Sequence, residues 1–128
     1  MTLLLDTHTF LWFCQDDPLL SSTAKTLIED PANRKVISMT SCWEITIKAG
    51  LRKLILGEPS ESYISTALSR TGFELLPISL AHATRVETLP LHHRDPFDRL
   101  LMAQAMIEAI PIVSVDLSFD SYGVRRLW

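Results

Sequence analysis

The sequence predicts an α/β fold, a three-layer αβα domain built on a mostly parallel central sheet. Three observations predict it. Short apolar runs alternate with segments of about ten residues in which apolar side chains recur at helical spacing. Two of those runs, Thr2–Leu5 and Ile112–Val115, are each stopped by an aspartate, and the second reads as a strand buried on both faces. The 128 residues, 47% hydrophobic and 21% charged, suit one globular domain spanning residues 1–128 around one core. Helices that connect parallel strands pack on both faces of the sheet, which gives the three layers.

The elements follow in order. Thr2–Leu5 reads as the first strand, Thr-His-Thr after Asp6 as a turn, and Phe10–Phe13 as a helix start. Ser21–Asp30 places Ala24, Leu27 and Ile28 at helical spacing and ends at Pro31, and Lys35–Met39 reads as the second strand. Thr40 and Ser41 can cap a helix through Trp43, Ile45, Ile47, Ala49 and Leu51, weakened near its end by Gly50. Pro59 and Ser60 open a helix through Tyr63, Ile64 and Leu68 that Gly72 closes. Phe73–Ile78 is a strand, Ser79 to about Leu89 a helix stopped by Pro90, and Leu91–Arg94 a loop. Asp95-Pro96 is an N-cap acid with proline at the first helical position, after which Phe97, Leu100, Leu101, Ala103 and Met106 keep helical period until Pro111. Ile112–Val115 is the fourth strand and Val124–Trp128 a short last one. No repeat or linker interrupts the series.

Composition bounds the function. The N-terminus lacks a basic region, against a secretory signal, and no apolar run approaches the roughly 18 residues of a membrane span, so a cytoplasmic protein without membrane contact is expected. Cys14 and Cys42 have neither CxxC nor disulfide-framework spacing and read as reduced thiols. A net charge of −3 and a pI near 5.7 weigh against a phosphate-rich partner. Two divalent ions would add four positive charges, bringing the total to about +1 and placing positive charge where phosphates seek it.

Four acids occupy comparable places. Asp6 follows the first strand, Glu44 lies in the first turn of the helix after the second, Asp98 lies in the first turn of the long C-terminal helix, and Asp116 ends the fourth strand. Ligand sites of open α/β sheets lie at those carboxyl ends. Each acid also has a purely structural reading: Asp6 as an N-cap, Ser41-Cys-Trp-Glu44 as a capping box, Asp98 as a helix-dipole partner, Asp116 as a turn cap. Together they suggest more, because Mg²⁺ or Mn²⁺ needs several hard oxygen ligands around one centre.

The motifs Leu4-Leu5-Asp6-Thr7-His8-Thr9-Phe10-Leu11-Trp12, Ser41-Cys42-Trp43-Glu44-Ile45, His93-Arg94-Asp95-Pro96-Phe97-Asp98-Arg99 with the helix that follows, and Ser114-Val115-Asp116 resemble, in this order, those of PIN-domain nucleases. The likeness is greatest to the VapC-type toxins of bacterial toxin–antitoxin pairs and covers essentially the whole chain. It implies a PIN-like fold and a Mg²⁺- or Mn²⁺-dependent endoribonuclease whose ligands match Asp6, Glu44, Asp98 and Asp116, with Thr7 and Ser114 at hydroxyl positions that line the site. Asp98 is then the ligand and Asp95 the helix cap. The resemblance further implies hydrolysis of RNA phosphodiesters, an antitoxin partner and a homodimer; because four metal-free carboxylates repel one another, the antitoxin is expected to insert a basic side chain into the acidic site.

Lys48 and Arg52, four and eight residues after Glu44 on one helix face, are candidates for guiding phosphate, against a plain i,i+4 ion pair. His92 and His93 lack zinc-ligand spacing and read as a solvated loop. Trp12 and Trp43 read as core or interface residues. A receiver-like signalling module needs paired acids after the first strand and a lysine after the last core strand, whereas here Asp6 stands alone and Asp116 takes the lysine's place. A non-catalytic binding protein of the same fold differs from the nuclease in lacking metal-dependent RNA cleavage.

Overall fold

Three leucines at the centre of the sheet decide the layering. Side chains alternate along a strand, so Leu3 and Leu5 face one way and Leu4 the other, and none of the three retains exposed surface. Leu3 and Leu5 pack with Phe10, Ile28, Ile37, Ile45 and Val113 on one face, and Leu4 packs with Val36, Leu101, Met102, Ile112 and Phe119 on the opposite face. Burial contributes about 1.5–3 kcal/mol per large apolar side chain, so both faces must be covered, and helices do this.

The computed structural model describes all residues, 1–128. β1 (Thr2–Leu5) leads to α1 (Thr7–Cys14) and α2 (Ser22–Glu29), and β2 (Arg34–Ser38) to α3 (Met39–Gly50) and α4 (Ser60–Thr71). β3 (Glu74–Leu76) leads to α5 (Leu80–Arg85) and α6 (Pro96–Glu108), and β4 (Ile112–Val113) to β5 (Arg126–Leu127), with 3₁₀ turns at Val86–Thr88 and Leu117–Tyr122. Strand order is β3-β2-β1-β4-β5 and every pairing is parallel, so the sheet expected to be mostly parallel is parallel throughout. No helix is long and apolar enough to cross a membrane.

Several boundaries differ from the sequence reading because caps sit earlier than expected. Asp6 caps α1 directly, Oδ1 accepting from the Thr9 N–H at 2.9 Å, so Thr-His-Thr is the first helical turn. Ser38 rather than Thr40 or Ser41 caps α3, its Oγ accepting from the Thr40 N–H, and Ser41–Glu44 forms no capping box. Glu44 therefore lies in the second turn. Helix α3 ends at Gly50, and Arg52 has a left-handed φ of 58°, which takes it off the helix face that carries Lys48. Left-handed Ala109 closes α6, two residues before Pro111. β4 stops at Val113, which leaves Asp116 beyond the strand as cap of the second 3₁₀ turn. Trp43 is not core: it is 58% exposed and meets Phe97 edge-on at 5.4 Å.

Where α6 meets the ends of β2 and β3, the buried Gln104 satisfies four groups at once. Its Oε1 accepts from the hydroxyls of Ser38 and Thr40, and its Nε2 approaches the Pro77 carbonyl and His82 Nδ1. Burial raises both thiols, Cys14 to about 11, so they remain protonated.

Candidate metal centre

Register brings the acids together. Leu5 is level with Ile37 of β2 and Val113 of β4, so the residues after these three strands emerge side by side at the carboxyl edge. Strand order reverses at the same place, with β2 and β3 on one side of β1 and β4 and β5 on the other, and such reversals leave the crevice in which open α/β sheets bind ligands.

Asp6 is buried and held through both oxygens. Oδ1 caps α1, and Oδ2 accepts from Ser114 Oγ at 2.5 Å. The Ser114 hydroxyl also accepts from the Asp116 N–H at 3.0 Å, so one buried hydroxyl ties the end of β1 to the segment after β4. Burial pushes the Asp6 carboxyl above its usual range, and the hydrogen bonds from Ser114 and Thr9 pull against that rise.

Asp98 is presented by the first turn of α6. Asp95 is the cap, its Oδ1 accepting from the N–H groups of Phe97 and Asp98 at 2.9 and 3.0 Å. Asp98 Oδ2 lies 2.7 Å from His93 Nε2. Its carboxyl is pushed up from 3.8 to about 6, chiefly by burial; the His93 contact opposes the shift while the charges of Asp95 and Asp6 add to it. Asp116 Oδ1 caps its 3₁₀ turn through the Ser118 N–H at 2.9 Å. His93, Asp98 and Asp116 each offer one ligand atom, all within 4.8 Å of one another.

Glu44 approaches from α3, buried, with both oxygens occupied. Thr7 Oγ1 donates to Oε1 at 2.6 Å, and Lys48 Nζ lies 2.5 Å from Oε2. A hydroxyl has one hydrogen, so the 2.9 Å contact between Thr7 and Ser41 is donated by Ser41. Lys48, a candidate phosphate guide in the sequence, is committed to this i,i+4 ion pair, and exposed Arg52 lies beyond the helix. The structure thus gathers Asp98 and Asp116 with His93 in one cluster, links Asp6 to Asp116 through Ser114 and to Asp98 by charge alone, and ties Glu44 to Thr7 without bringing it into that cluster.

His93, which by sequence reads as part of a solvated loop, is partly buried against Asp98. The available signal was its place five residues before Asp98 across a tight proline-started helix cap. The largest surface groove, about 480 Å³, lies at the opposite edge of the sheet between Arg85, Pro111 and Arg125 and contains no carboxylate.

A PIN domain profile matches residues 3–124. The chain belongs to the PIN domain family. No curated protein matches it significantly in sequence. Among solved structures, this PIN domain resembles a chain of VapBC2 from Rickettsia felis bound to promoter DNA, with a TM-score of 0.72 and 18% identity over 99% of this chain and 98% of that one. A chain of DNA-bound VapBC from Salmonella typhimurium gives 0.71 and 16% over 99% and 97%. VapC20 from Mycobacterium tuberculosis, a toxin that cleaves the sarcin-ricin loop, gives 0.67 and 16% over 95% of each chain. These identities establish likeness of fold.

The carboxylates of Asp98 and Asp116 that converge in this PIN domain are hard oxygen donors of the kind a divalent cation takes. The raised carboxyls carry a consequence for the metal-free protein. With its native value above the unfolded one, Asp98 holds a proton in the folded state that the unfolded chain releases between pH 4 and 6, so its ionisation lowers stability as pH rises through that window. In urea titrations with EDTA, Asp98→Asn should flatten this decline and be more stable than wild type at pH 7, by up to roughly 3 kcal/mol. An unchanged slope would show that Asp98 is not strained.

Proposed function

We propose that residues 1–128 form one nuclease domain, a Mg²⁺- or Mn²⁺-dependent endoribonuclease that hydrolyses RNA phosphodiester bonds and serves as the toxin of a toxin–antitoxin pair in the cytoplasm. The observation that carries this reading is the convergence of Asp98 and Asp116 on one space beside buried Asp6, at the strand-order reversal of a PIN fold. The RNA substrate is supported by the likeness in fold to a toxin that cleaves the sarcin-ricin loop.

In this reading Asp6, Asp98 and Asp116 hold the ion, and Glu44 completes the acidic wall. A divalent ion supplies positive charge to the crowded phosphate oxygens and acidifies the attacking water. The chain's own contribution is orientation. Ser114 and the Thr9 N–H fix Asp6, the Asp95 cap fixes the turn that presents Asp98, and Thr7 with Lys48 fixes Glu44. Side chains placed this way lose little freedom when substrate binds.

Control of such an activity has to come from outside the chain. Several solved neighbours are VapBC complexes, and the metal-free acids repel one another, so an arginine or lysine of an antitoxin entering the cleft would neutralise it and exclude the ion. A toxin homodimer belongs to the same proposal.

Two experiments test it. Asp98→Asn should fold and lose more cleavage than the roughly 10–100-fold that removal of an outer-shell partner costs, whereas Asp95→Asn, whose amide also caps helices, should stay near wild type. Near-wild-type cleavage by both would remove Asp98 from the site. Co-expressed with the product of the neighbouring reading frame, the chain should purify as a complex inactive toward RNA in Mg²⁺ or Mn²⁺. The absence of a complex, or a complex as active as the free chain, would overturn the toxin assignment and leave the nuclease standing.

A further inference from the structure

The metal-centre reading leaves one member of the cluster without a role. His93 lies in no helix or strand, yet its Nε2 reaches Asp98 Oδ2 at 2.7 Å and a ring nitrogen shares the 4.8 Å cluster with Asp116. An ionised carboxylate only accepts, so the ring nitrogen facing it carries the hydrogen.

The loop that carries His93 is held by a buried cation. Arg99, next to Asp98 in sequence, donates to the carbonyls of Val86, Leu89, Pro90 and His93 at 2.8–3.3 Å and to the Tyr122 hydroxyl at 3.2 Å. That hydroxyl accepts from the His93 N–H and donates to the Pro90 carbonyl, both at 2.8 Å. Burying a guanidinium is expensive, and here the five hydrogen bonds that compensate it go to the segment leading to His93 or to the tyrosine that grips it. A loop of no regular structure is thereby given one conformation.

We propose that His93 is a positioning residue of the metal centre, donating from Nε2 to Asp98 so that the carboxylate keeps one orientation toward Asp116, and that Arg99 and Tyr122 clamp His93 for this purpose. The inference rests on the divalent-metal reading above. Without the donor, the repulsion from Asp6 and Asp95 that Asp98 already experiences would turn its carboxylate outward to water. Donors behind ligating groups fix ligand orientation, and losing one typically weakens metal binding about 10–100-fold.

The test is calorimetric titration of Mn²⁺ into the metal-stripped full chain, with RNA cleavage measured alongside. His93→Ala should raise the Mn²⁺ Kd about 10–100-fold with little change in the urea midpoint, because this side chain joins neither core cluster. His93→Gln, whose amide N–H can take the place of Nε2–H, should recover most of the affinity. Tyr122→Phe, which cuts the clamp away from the ion, should fall between wild type and His93→Ala. An unchanged Kd in His93→Ala, or a Gln variant as weak as the Ala variant, overturns the donor role, and a wild-type Kd in Tyr122→Phe overturns the clamp. A wild-type chain that binds Mn²⁺ but leaves RNA intact removes the nuclease reading and keeps this one, whereas a chain with no Mn²⁺ affinity overturns both.

Discussion

Carboxylates occupy a partly buried space at the carboxyl edge of the sheet, where burial disfavours their charge, and much of the surrounding architecture answers that constraint. Moving the Asp98 carboxyl from 3.8 to about 6 corresponds to on the order of 3 kcal/mol between its protonation states. Helix N-termini offset part of such a cost: Asp6 caps α1, Asp98 lies in the first turn of α6 and Asp116 caps a 3₁₀ turn. Each such placement contributes about 0.3–1 kcal/mol, too little to cancel the desolvation of Asp98. What remains is a carboxylate under electrostatic strain, which a cation in the cleft would relieve.

The parallel sheet supplies the acids and their partial compensation by one device. When every strand runs the same way, every following helix starts at the same edge, so residues after strands and positive helix ends meet there. The apolar cores on the two faces fix this edge. Leu3 and Leu5 anchor one face and Leu4 the other, and a register slip of one residue would exchange them and separate Asp6 from Ser114. The capping roles of Asp6 and Asp116 are compatible with ion binding, because a carboxylate has lone pairs enough to cap a helix and still face a ligand.

Legibility from sequence followed the range of the interactions. The start of α6 was readable because Asp95 and Pro96 act within one turn, and the buried strands because apolar runs need no distant partner to be recognised. The start of α3 is not legible because Ser38, Thr40 and Ser41 can each cap a helix, and the choice depends on where pairing with β3 ends, at Ser38. The end of α3 was overrun because Arg52 turns left-handed without a glycine to signal it. The 3₁₀ turn at Leu117–Tyr122 has no helical period to detect. His93 was misread because its neighbours in space, Asp98, Asp116 and Tyr122, are brought by elements whose order no local spacing encodes. Motif order singles out four acids, whereas their unequal engagement, Glu44 tied up by Thr7 and Lys48 and Asp98 clustered with Asp116, needs coordinates.

The most direct test of the account is where a metal ion settles. Crystals of the metal-stripped protein soaked in Mn²⁺ and measured near the manganese absorption edge should give an anomalous peak bounded by the carboxylates of Asp98 and Asp116, with Asp6 in reach. No peak at those residues under saturating Mn²⁺, or a peak elsewhere while the acids keep only protein partners, would contradict it.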